Sequence, residues 1–182
     1  MKTLVSIALL LISSFSLFAQ VTLPIDPTTN KVSYTEVVEV PGMTKDQLHA
    51  KANEWLAKTY KSANDVIQMN DKEAGKIIAK GTTKSYLHSM GKDWDAGYFR
   101  HTLTLSFKDG KFRYEFTDFT HDGTGGNGTV SMGPVEGEKG AGGMSAPNTK
   151  QWKTMKEDLD KRMKAIVEEL KKAMISTKDS EW

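Results

Sequence analysis

The sequence predicts an α+β fold: a single antiparallel β-sheet of about five strands, in the order β-α-β-β-β-β-α, packed against two amphipathic helices. Two observations carry this prediction. Residues 98–120, YFRHTLTLSFKDGKFRYEFTDFT, alternate apolar and polar side chains on both sides of Asp109-Gly110, which is the pattern of a long β-hairpin. Residues 150–175 instead repeat apolar side chains at three- and four-residue steps, which is the pattern of a long amphipathic helix.

The chain starts with Lys2, an apolar run over 4–18 and a small residue, Ala19, before Gln20. That is the layout of a signal peptide over 1–19, with an apolar stretch too short for a comfortable membrane span. The mature protein is therefore expected to be exported, periplasmic or secreted, as a single α+β domain over 20–182 with no stable membrane span after cleavage. With no cysteine, that domain has neither disulfides nor thiolate chemistry and must be held by its core alone.

Pro24 places the first short apolar segment at a sheet edge. A turn over 26–30 precedes a strand over 31–40, in which Val32, Tyr34, Val38 and Val40 share one face with Glu36. Pro41-Gly42 ends it. Thr44 and Gln47 form a capping box, and Leu48, Ala52, Trp55, Leu56 and Tyr60 mark one stripe of the helix that follows. Residues 65–70 and 74–86 read as two further strands, and 87–96 as a polar loop leading into the hairpin.

The turn at Asp109-Gly110 sets the hairpin register. Lys108 faces Lys111, Phe107 faces Phe112, Leu105 faces Tyr114, Leu103 faces Phe116 and His101 faces Asp118. The apolar pairs then fall on one face, and Thr102, Thr104, Ser106, Arg113, Glu115 and Thr117 on the other. After it, residues 121–147 hold nine of the fifteen glycines without periodicity and read as a flexible insertion. Asn148 or Thr149 caps the last helix, whose stripe runs through Trp152, Met155, Leu159, Met163, Ile166, Val167, Leu170 and Met174.

Several stretches carry a family resemblance: Leu23-Pro24-Ile25-Asp26, Lys31-Val32-Ser33-Tyr34-Thr35-Glu36-Val37-Val38, Trp55-Leu56, Ser62-Ala63-Asn64-Asp65-Val66-Ile67-Gln68 and Asp71-Lys72-Glu73-Ala74-Gly75-Lys76-Ile77-Ile78. They resemble the secreted bacterial family called domain of unknown function 4468, which is described as having a TATA-binding-protein-like fold. The resemblance implies a curved antiparallel sheet with helices on one side. It carries no functional residue over, and the fold does not imply DNA binding.

Charge adds little direction. Lys and Arg number 25 and Asp and Glu 23, a formal balance of +2, so no whole-molecule field points to nucleic acid. Gly123-Thr124-Gly125-Gly126-Asn127-Gly128 satisfies G-x-G-x-x-G literally, but no helix opens after it, so it does not read as a dinucleotide site. No cofactor is called for.

The side chains with chemical potential are few. His101 opposite Asp118 would orient an imidazole as a general base, and His121 with Asp122 would extend the pair toward a metal site. A polar pair closing one end of the sheet is the competing reading. The acidic pairs Asp71 with Glu73 and Asp93 with Asp95 lack the ligand count of a calcium loop and read as solvated turns. Two functions follow. The first is a non-catalytic binding or scaffold domain of the bacterial cell envelope, meeting another envelope protein or envelope component. The second is a hydrolase or metal-dependent enzyme using His101, Asp118 and His121.

Overall fold

The computed structural model describes residues 23–60, 62–125, 130–138 and 146–176; the expected signal peptide over 1–19 lies outside them. The elements are β1 (Tyr34–Glu39), α1 (Lys45–Thr59), α2 (Ala63–Val66), β2 (Ile67–Asp71), β3 (Lys76–Ser89), β4 (Lys92–Lys108), β5 (Lys111–Asp122), β6 (Gly133–Pro134) and α3 (Thr149–Ile175). All pairings are antiparallel, in the order β1-β5-β4-β3-β2, and the two-residue β6 shares the outer side of β5 with β1. The α+β class and the single antiparallel sheet are as predicted.

Both long helices start where their sequences say. Thr44 Oγ1 accepts from the Gln47 N–H while the Gln47 side chain accepts from the Thr44 N–H, and Asn148 and Gln151 repeat this reciprocal cap at α3. Such caps satisfy two of the amide donors that a helix start leaves free.

Trp152, Met155, Leu159, Met163, Val167, Leu170 and Met174 of α3 are all buried, as are Leu48, Ala52, Trp55 and Leu56 of α1. Each large side chain so buried stabilises the fold by roughly 1.5–3 kcal/mol. These stripes meet one face of the sheet: the Trp152 ring stacks 5.9 Å from Phe99, and His49 of α1 sets its ring edge-on 5.6 Å from Phe107. The opposite face carries no long helix among the described residues. None of the described helices is long and apolar enough to cross a membrane.

Three segments differ from the sequence reading. Residues 87–96 are not a loop: β3 and β4 run on as a two-stranded arm, with Leu87 opposite Trp94 and His88 opposite Asp93, closed at Met90-Gly91. Both turn residues take positive φ, 53° and 71°, the geometry whose twist matches paired strands. Residues 65–70 are one helical turn followed by a strand, with a register shift between Ile67 and Met69. Within the stretch expected to be a flexible insertion, His121 and Asp122 finish β5, while Gly133-Pro134 pair with it and bury Met132 and Val135. Residues 126–129 and 139–145 of that stretch lie outside the described ones.

Candidate functional site

The hairpin keeps its predicted register from Lys108–Lys111 as far as Thr102–Thr117, and there it breaks. Arg100 pairs with Thr120 instead of Phe119, so Asp118 and Phe119 together oppose His101 in a β-bulge. Asp118 takes the left-handed conformation, φ 56°, which aspartate tolerates better than most residues. The extra residue reverses the alternation. Phe119 turns into the core, its ring 5.6 Å from that of His101, and Asp118 turns out to an ion pair with Lys31 at 2.5 Å. The expected facing of His101 and Asp118 is thus corrected: the bulge separates the two side chains.

His101 is 2 % exposed, between the rings of Phe116 and Phe119. Its Nε2 lies 3.3 Å from the Tyr60 hydroxyl, and its Nδ1 has no hydrogen-bond partner. Gly81 allows this packing, since a Cβ there would stand 2.6 Å from both Nε2 and the Tyr60 hydroxyl. Burial pushes the imidazole pKa down to about 4, so the ring is neutral at physiological pH.

His121 is fully buried, and both of its ring nitrogens are used. Nε2–H donates to the Ala96 carbonyl at 2.9 Å, and Nδ1 accepts from the Met132 N–H at 3.2 Å. Those bonds fix β4, β5 and the segment before β6 to one another. Asp122 instead pairs with Arg100. No three His, Cys, Asp or Glu side chains among the described residues converge closely enough to hold a metal ion. Asp71 accepts from the Ala74 N–H within its turn, while Asp93 and Asp95 pair with His88 and Lys84 along the arm.

Beside the bulge lies a depression of about 430 Å³ on the sheet face opposite α1 and α3, lined by Lys80, Thr82, Arg100, Thr102, Asp118 and Thr120, with Gly81 and His101 beneath. It presents hydroxyls and two cationic side chains. No nucleophile stands beside a base among the residues that line it. The sequence reading singled out two of its residues as candidates, Asp118 and His101, and set Thr102 on the polar face of the hairpin; it did not single out Lys80, Thr82, Arg100 or Thr120. A signal for the bulge was present: the inward aromatic positions run Phe112, Tyr114, Phe116 and then change phase to Phe119 and His121.

Comparison with known proteins agrees with this architecture. The profile of the family described as "Domain of unknown function (DUF4468) with TBP-like fold" matches residues 34–122. Among solved structures, a TBP-like protein from Parabacteroides distasonis superposes with a TM-score of 0.55 at 14% identity, covering 82% of this chain and 97% of its own. A DUF4468 family protein from Bacteroides ovatus gives 0.55 at 17% identity, covering 84% of this chain and 90% of its own. No curated protein matches the chain. Likeness at this identity shows the fold alone.

Proposed function

We propose that this chain, whose residues 34–122 match the profile of the DUF4468 family described as having a TBP-like fold, is an exported, non-catalytic binding or scaffold domain of the bacterial cell envelope. Its sheet face opposite α1 and α3 is the contact surface for another envelope protein or envelope component. The observation that carries this reading is the depression at the Asp118 bulge, open on a face that carries no long helix among the described residues. Lys80 and Arg100 at its border and the hydroxyls of Thr82, Thr102 and Thr120 offer charge and hydrogen bonds without a reactive group. The separation of His101 from Asp118 favours binding over hydrolysis. Export rests on Lys2, the apolar run over 4–18 and Ala19.

A photo-crosslinker in place of Thr102, with a second at Glu54 on the exposed side of α1, tests the reading in living cells. The expected result is a processed chain beginning at Gln20 in the envelope fraction, and one defined adduct from position 102 that position 54 does not give. An unprocessed chain retained in the cytoplasm, or identical adducts from both positions, refutes it.

A further inference from the structure

A second cavity, of about 360 Å³, opens where β1 meets α3, and its walls are unlike those of the depression at the bulge. Its floor includes a buried carboxylate. Asp160 lies on the inward side of α3 between Leu159 and Met163 and is 4 % exposed. A carboxylate in that position costs several kcal/mol of desolvation unless it is well partnered. Here the Tyr34 hydroxyl donates to Oδ1 at 3.0 Å and the Lys164 ammonium to Oδ2 at 2.7 Å. Burial and the neighbouring carboxylate push the Tyr34 phenol pKa well up, so it remains a donor.

A pin between helix and strand would need those three groups and nothing more. The cavity has more. Ser33 also lines it, is 8 % exposed, and its Oγ has no hydrogen-bond partner. Oγ itself is closed off from solvent; an unpaired buried hydroxyl costs about 1–3 kcal/mol, and a change of the Ser33 rotamer toward the cavity would let a ligand hydroxyl relieve it. The volume lies at the lower end of the ~300–1,000 Å³ range of small-molecule sites.

The lining also restricts the class of ligand. Asp160 and Glu168 oppose an anion. A cation would have to displace Lys164, which is tethered one turn along the same helix and already neutralises Asp160. The remaining chemistry is an acceptor and a donor side by side, hydroxyls that can do either, and apolar surface on Tyr114 and Val167. Vicinal hydroxyls on a ring with an apolar face match that arrangement. We propose that the cavity between β1 and α3, built on Tyr34, Asp160, Lys164 and Ser33, binds a neutral saccharide of one or two rings.

Ligand-detected NMR titration of the purified protein with glucose, galactose, mannose, N-acetylglucosamine and cellobiose tests this, with arginine and inorganic phosphate as charged comparisons. At least one sugar is expected to saturate, with affinity reduced at least tenfold in Asp160→Asn and in Lys164→Met. Arg100→Ala, at the other depression, should leave the affinity unchanged. Lys164 is an exposed side chain, so its variant reports on binding even where Asp160→Asn fails to fold. The proposal is overturned if no sugar saturates, if arginine or phosphate binds instead, or if Lys164→Met binds sugar as tightly as the parent.

Discussion

Acidification should unload stability from the hairpin through one side chain, His101. Free histidine titrates near 6.5, and burial holds the folded-state value at about 4. Above 6.5 neither state binds the proton and the residue contributes no pH dependence. As pH falls from 6.5 toward 4 the unfolded chain takes up the proton and the folded chain does not, so stability declines with falling pH. A difference of that size corresponds to roughly 3 kcal/mol at the acid end. No charged group offsets it: the ring meets Phe116, Phe119, the Tyr60 hydroxyl and the space left by Gly81. Urea unfolding at half-unit steps between pH 7 and 4 measures the effect against His101→Gln, which keeps a polar group near Tyr60 but cannot titrate. His121, also lowered by burial, and the carboxylates remain in both proteins, so the difference between the two curves isolates His101. The parent is expected to lose about 3 kcal/mol more than the variant across this window. Parallel curves would refute the assignment of His101 as a buried neutral imidazole.

Two substitutions probe the backbone. Gly97 has φ 100°, and a Cβ there would overlap the Asp122 carbonyl oxygen, so Gly97→Ala should cost about 3 kcal/mol or more in denaturant unfolding. A loss below about 1 kcal/mol would show that the end of β5 does not approach β4 so closely. At the bulge, Asp118→Val should cost about 1–2 kcal/mol because a β-branched residue resists positive φ. Asp118→Asn, which tolerates that conformation and loses only an exposed ion pair with Lys31, should cost under ~1 kcal/mol. Equal losses from the two variants would argue against the bulge.

Much of the fold was legible because its signals are local. The Asp109-Gly110 turn fixed the pairing of seven strand positions on each side, the Thr44–Gln47 capping box fixed the start of α1, and of the two caps expected for α3, Asn148 or Thr149, Asn148 is the one used. The arm beyond Tyr98 went unread because Met90-Gly91 makes its turn with a residue that rarely takes positive φ, and because Lys92, Asp93 and Asp95 look like loop composition. The candidate site was harder. Its position depends on one extra residue in β5, and a one-residue slip reverses every side chain beyond it. His101 was placed correctly on the core face, yet its partner there is Phe119, from the residue after the one that simple counting selected. Asp160 falls outside the apolar stripe expected for the last helix, and helical spacing alone does not register a hydroxyl arriving from β1.

The placement of β1 beside β5 sets the order in which this chain can assemble. β3, β4 and β5 are neighbours both in sequence and in space, so they zip through short closures, whereas Tyr34 must wait for Phe116. Synthesis runs from the N-terminus, and β1 is therefore the first strand made and among the last to be paired. Until β5 exists, the strand carrying Tyr34 and Val38 has no edge to join, and the buried contact between Tyr34 and Asp160 must wait for α3, the last of the described elements. The interval between making and pairing that strand is when an unfolded-chain binder would find it exposed.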